Sequence, residues 1–114
     1  MPQEPLTVED LSVPNSGQCV LRLHGPVLIS NFFHFQSMVR ASNAQYMILD
    51  LTDVPYIDSA GIGALVGAYV THQKEGRSLS LVGVTQRVRN TMQVTRVEQF
   101  FRFFDTLAEA QRAA

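Results

Sequence analysis

The stretch that most narrows what this chain can become is Tyr46-Met47-Ile48-Leu49-Asp50-Leu51. A strand with one wet face alternates apolar and polar residues, and this one barely does. A near-continuous apolar run of this length suits a strand covered on both faces, as in a parallel or mixed sheet with helices packed on it. A short loop then leads into Asp58-Ser59-Ala60-Gly61-Ile62-Gly63-Ala64-Leu65, where a helical pattern starts on an acid, a hydroxyl and two glycines.

The other elements fall into place around that pair. Leu6 to Val13 alternates weakly and predicts a sheet-edge strand. Pro14-Asn15-Ser16-Gly17 then makes a turn into a second strand, Cys19 to Leu23, paired with the first as a hairpin. Gly25-Pro26 ends it. From Asn31, a candidate cap, Phe32, Phe35, Met38 and Val39 recur at helical spacing. The helix beginning at Ser59 is expected to run to about Lys74, with Ile62, Leu65, Val66, Tyr69 and Val70 as its apolar stripe and Gly76 at its left-handed end. Ser78 to Val84 predicts a strand, and Gln86 to about Val94 a short helix with Val88 and Met92 inward. Phe100 to Phe104 predicts a last strand, with Asp105 capping a final helix through Arg112. This order predicts one α/β domain over residues 1–114, a mixed and mainly parallel sheet of four to five strands with about four helices on it.

Composition removes several functions. Hydrophobic residues make up 46% and charged residues 17%, which suits a packed globule. A formal net charge of −1 lacks the electrostatic footprint of a nucleic-acid binder. No basic start with an apolar stretch marks a signal peptide, and no stretch is apolar enough for direct membrane insertion, so a cytoplasmic address is expected. Cys19, the one cysteine, lies in an apolar run and reads as an inert, buried thiol. Charge is uneven: residues 41–73 contain Asp50, Asp53 and Asp58 with no Lys or Arg, so no compensating base is expected in that segment. Arg87, Arg89, Arg96 and Arg102 form the densest basic stretch, either a solvated face or a docking surface for an acidic partner.

Catalytic patterns are weak. Gly61-x-Gly63-x-x-x-Gly67 misses the dinucleotide fingerprint, since no acid ends the following strand, and no Gly-Lys-Ser/Thr follows a glycine-rich loop. A hydrolase built on Ser59 needs a nearby histidine. His72 lies thirteen residues along the same helix, about 19 Å away; His24 is possible on distance, and His34 reads as a helix-surface residue. Three scattered histidines and one cysteine have no metal-ligand spacing, and no cofactor is expected. Phe32 and Phe33 are adjacent and cannot both point inward, so one is a candidate exposed anchor.

Spacing alone makes Asp58 or Ser59 a helix cap contributing about 1 kcal/mol, with no further role required. The segment Asp50-Leu51-Thr52-Asp53-Val54-Pro55-Tyr56-Ile57-Asp58-Ser59-Ala60-Gly61-Ile62-Gly63-Ala64-Leu65 resembles the signature of the STAS domain, the family of bacterial anti-sigma-factor antagonists. In that family a strand and short loop lead into Asp-Ser-(Ser, Thr or Ala)-Gly-(Ile, Leu or Met)-Gly. Gln86 to Met92 and the late strand are similar to it as well.

The resemblance implies a binding module and not an enzyme. The serine after the aspartate is phosphorylated by the anti-sigma factor, itself a serine kinase; the unmodified protein holds that kinase, and a serine phosphatase resets it. Carried over, Ser59 is the acceptor, with Asp58, Ala60, Gly61, Ile62, Gly63 and Gly67 forming the partner-binding surface. Two positions depart from the family. Leu28 stands where many antagonists carry a loop aspartate, and Thr95-Arg96-Val97 stands where a glycine is common. The first departure favours an alternative, a STAS subunit of a signalling scaffold or transporter-associated complex that is never phosphorylated. A nucleotide-binding protein or enzyme using Gly61 to Gly67 is the third reading.

Overall fold

The computed structural model describes residues 4–114. Five strands form one sheet in sequential order: β1 (Thr7–Asp10), β2 (Gln18–His24), β3 (Tyr46–Asp53), β4 (Ser78–Val82) and β5 (Arg102–Phe104). β1 and β2 form the antiparallel hairpin, and every later pairing is parallel. Helices α1 (Phe33–Ala41), α2 (Ser59–Lys74) and α3 (Gln86–Val94) make the parallel crossovers, and α4 (Leu107–Ala113) follows β5. Crossovers of one hand that step in one direction across a sheet place their helices on the same face. Accordingly Phe35 and Val39 of α1, Ile62, Leu65 and Ala68 of α2, and Val88 and Met92 of α3 share one core with Leu21, Met47, Leu49, Leu51 and Leu81.

Among the described residues the helix on the opposite face is α4, with Ala110 against Val20, Ile48 and Val82 and with Leu11, just after β1, packed beside them. Alternate residues of β3 thus serve two cores, which is why its sequence hardly alternates. Asp50 is the exception on the α4 side. It is buried, and Arg22 of β2 donates to it at 3.0 Å while the Thr52 hydroxyl and amide donate at 2.6 and 3.0 Å. Burial pushes the carboxyl up, but the bonds from Thr52 and Arg22 outweigh it and hold Asp50 below the ordinary carboxylate range. Among the described residues, no helix is long and apolar enough to cross a membrane.

Several boundaries differ from the sequence expectation. Strand β1 stops at Asp10, and β4 stops at Val82 because Gly83 turns with φ +66°, close to Thr52. Glu98–Phe100 is a 3-10 turn, so β5 begins only at Arg102. The cap of α4 is Thr106, whose hydroxyl accepts from the Glu109 amide, and not Asp105. Asn31 does not cap α1, which starts two residues later at Phe33, with Phe32 at the cap position and no side-chain cap bond. Arg96, in the Thr95-Arg96-Val97 stretch where the family commonly has a glycine, adopts φ +61°, a left-handed conformation costing a side-chain-bearing residue about 1–2 kcal/mol.

The buried face of α2 is also shifted. Val70 is 41% exposed, while Ala64, Ala68 and His72 turn inward. Those three lie four residues apart and form one row along the helix. Small side chains at positions 64 and 68 leave room beside α1, and bulkier Val70 takes the wet side. Cys19 is half-buried against the main core.

Candidate functional site

Two loops meet at the start of α2. The first, after β2, runs from Gly25 to Phe32; the second, after β3, runs from Val54 to Asp58. They pair through a parallel bridge between Val27 and Ile57, with the Val27 amide donating to Tyr56 O at 3.2 Å and the Asp58 amide to Val27 O at 3.1 Å. Gly61 makes this approach possible: a β-carbon there would lie 2.4 Å from Val27 O and 2.5 Å from Ile57 Cγ2. The motif glycine is therefore required by packing, whatever else the site does.

Asp58 clamps the junction. Its Oδ1 accepts from the Gly61 amide at 2.8 Å, capping α2, and its Oδ2 accepts from the Ile29 amide at 3.0 Å, holding the other loop. The expected cap is thus Asp58, and it fastens two elements at once. Ser59 is the first residue of α2 and is exposed, and its hydroxyl has no hydrogen-bond partner among the described residues. Ala60 is half-buried. Gly61 and Ile62 are buried, so they shape the surface from beneath, whereas Gly63 and Gly67 are exposed with open space above them. Of the seven sequence-named positions, then, Ser59, Gly63 and Gly67 present the outer face.

The surrounding apolar groups were partly legible. Phe33 is 64% exposed and stacks on half-buried Phe32 at 4.6 Å, as adjacency required. Ile29, 66% exposed beside Asp58, was missed because nothing in its local sequence sets it apart. Leu28 is half-buried, its amide donating to Asn31 Oδ1 at 2.9 Å. Asn31 spends its side chain on that loop, also donating to Pro26 O and Glu4 O at 3.0 Å each. Tyr56 donates to the Glu4 carboxylate and lies under the Arg87 guanidinium, 4.6 Å from its ring centre. The Thr85 hydroxyl, which caps α3, reaches Val54 O at 3.5 Å. Both loops are therefore braced from outside the motif.

The acidic middle segment does not lack compensating bases; they come from β2. Arg22 pairs with Asp50, and His24 sits between Asp53 (Nδ1, 2.9 Å) and Glu9 (Nε2, 3.0 Å). The segment's third acid, Asp58, is satisfied by backbone amides. The bond to Glu9 chiefly raises the His24 pKa; burial opposes it, and Asp53 adds to the rise. A ring with both nitrogens committed to carboxylates has no lone pair to activate a serine. His72 is buried at the far half of α2 and His34 is exposed on α1. Among the described residues, no group of three His, Cys, Asp or Glu side chains is placed to hold a metal ion.

The basic stretch on and after α3 is mostly engaged. Besides Arg87 over Tyr56, Arg89 pairs with Glu98 and lies 3.7 Å from the Phe103 ring centre, and Arg102 lies 5.4 Å from that of Phe104.

Known proteins share this architecture. Over 64 residues the chain is 30% identical to the TM1081 homolog of Thermotoga neapolitana, provisionally named an anti-sigma factor antagonist; the match covers 56% of this chain and 57% of that one. Over 47 residues it is 36% identical to the anti-sigma-B factor antagonist of Listeria monocytogenes, covering 41% of each. The matched stretches span about half the length of these curated relatives. The crystal structure of TM1081 from Thermotoga maritima, provisionally named in the same way, shares the fold with a TM-score of 0.84 over 93% of this chain and 92% of that one, at 22% identity. The family model of the STAS domain matches residues 10–110, and the chain belongs to the STAS domain family.

Proposed function

We propose that this protein is an anti-sigma-factor antagonist whose docking surface is switched by phosphorylation of Ser59. The carrying observation is an exposed, unpartnered hydroxyl at the first position of α2, directly beside a carboxylate whose two oxygens are already committed. In the unmodified state an anti-sigma factor with serine kinase activity packs over Ser59, Gly63 and Gly67, flanked by Ile29 and Phe33. Exposed glycines let a partner's backbone come close.

A phosphate on Ser59 adds roughly −1.5 to −2 charges at a helix N-terminus, which tolerates an anion, so the fold survives. Docking does not. A partner would have to bury a hydrated dianion next to the Asp58 carboxylate, and a penalty of about 4 kcal/mol corresponds to a thousandfold loss of affinity. A serine phosphatase completes the cycle, and no catalysis is assigned to the protein itself.

Incubation with ATP and candidate anti-sigma kinases, followed by mapping of the phosphosite, tests the reading; phosphate on Ser59 supports it, and phosphate found only elsewhere contradicts it. The aliphatic Leu28 in the adjacent loop favours a second reading, a STAS subunit of a scaffold or transporter-associated complex. Stable co-purification with a non-kinase partner, with Ser59 unmodified in cells, would select it.

A further inference from the structure

The solvent face of α3 carries groups that the proposed switch leaves unused. Arg87, Asn90, Thr91, Val94 and Thr95 recur at helical spacing and line a shallow groove of about 340 Å³. Val94 is 83% exposed, more than any other large apolar side chain among the described residues. The Thr91 and Thr95 hydroxyls donate back to Arg87 O and Thr91 O, and Asn90 Oδ1 accepts from Gln86. The side-chain N–H groups left over on this face belong to Arg87 and Asn90, and both need acceptors. Arg87 lies over the Tyr56 ring, which steadies its guanidinium and leaves the N–H edge for a carboxylate.

Arg96 ends the helix two residues past Val94. Its amide donates to Gln93 O and the Val97 amide to Met92 O, the paired bonds of a left-handed helix end where glycine sits without strain. The arginine strains the backbone to present an exposed guanidinium with no carboxylate partner among the described residues. Residues 85–97 contain no acid. A second copy of the chain has little to offer, since every described Asp and Glu apart from Asp105 is already bonded within its own chain.

We propose that this face docks an acidic amphipathic helix from a protein partner, with its carboxylates on Arg87 and Arg96 and an apolar side chain on Val94. From Arg87 to Thr95 the face is about 12 Å long, roughly two turns of such a helix. Docking here does not depend on the state of Ser59.

The probe is a capped helical peptide of about 18 residues, built of Glu, Ala and Leu with Leu along one stripe. Titrated into the ¹⁵N-labelled full chain, it moves the amide signals of Arg87, Asn90, Thr91, Val94 and Thr95 saturably, and about 0.5 M salt weakens it. The same peptide with Lys for Glu does not bind. Arg87→Glu with Arg96→Glu weakens binding at least about tenfold, and Val94→Ala about threefold. Arg96→Gly relieves the strained turn, so it raises the unfolding midpoint while weakening the peptide; a merely structural arginine would move stability alone. Ser59→Asp binds the peptide as the wild type does, which separates this surface from the switch. The proposal is overturned if about 1 mM peptide leaves the α3 signals unmoved, if the Lys peptide binds equally well, or if Arg96→Gly keeps wild-type affinity. Phosphatidylglycerol vesicles broadening the α3 signals where the peptide does not would overturn it too, by assigning the face to lipid.

Discussion

The two ends of α2 treat polar groups in opposite ways. At the start, Asp58 satisfies two backbone amides, and the Ser59 hydroxyl, without a partner among the described residues, faces solvent. At the other end, His72 Nε2 and Arg77 Nε are equally unpartnered but buried. Water satisfies the first at no cost, whereas a buried unpaired group costs about 1–3 kcal/mol. The same chemical count therefore means a free handle at one end and a standing cost in stability at the other. Burial, and not the residue type, makes the difference.

The glycines of the helix offer the sharpest way to break this comparison. Gly61→Ala should be the most damaging change, costing about 3 kcal/mol or more, because its new methyl meets backbone at 2.4 Å and the two loops must part; denaturant titration would read it as a lower midpoint with an unchanged slope. Asp58→Ala comes next, at about 2 kcal/mol, since it removes both the cap and the Ile29 anchor. Gly67→Ala, less than two turns of helix further on, has the opposite sign: with nothing nearby to strike, it should raise stability by about 0.5–1 kcal/mol in thermal unfolding. An unstable Gly67→Ala beside a tolerated Gly61→Ala would reverse the assignment of which glycine packs and which is exposed.

The smallest effect lies at the edge of the sheet. His24 between Glu9 and Asp53 has a folded pKa above its unfolded value of about 6.5. Its contribution is fully present below that value and fades as pH rises through the higher folded one. The side chain is 37% exposed, so solvent screening keeps the contribution under about 1 kcal/mol. Unfolding free energy of the wild type should fall across that window, and that of His24→Gln should stay flat.

What the sequence disclosed follows the range of the forces involved. The span of α2 was legible because Asp58 caps it through a contact three residues away and Gly76, at φ +70°, ends it. The buried pair Val88 and Met92 followed from local periodicity. Asn31 misled because its side chain is taken by Leu28, Pro26 and Glu4, contacts that no helical window contains. Val70 misled for a related reason: hydropathy favours it for the buried stripe, but the row Ala64, Ala68, His72 is set by how near α1 lies. At the site, Asp58 and Ser59 stood out by type and spacing as a helix cap, and the STAS resemblance singled out Gly61 and the role of Ser59. Ile29 entered through a bond to a residue 29 positions away, and Arg87 through the face of Tyr56.

The most direct test compares the affinity of wild type, Ser59→Ala and Ser59→Asp for the same anti-sigma partner, with thermal unfolding of all three measured alongside. The account predicts unfolding midpoints close to one another, near-wild-type binding for Ser59→Ala, and a steep loss for Ser59→Asp approaching the thousandfold assigned to the full phosphate. A Ser59→Asp protein that stays folded and binds its partner as tightly as the wild type would contradict it.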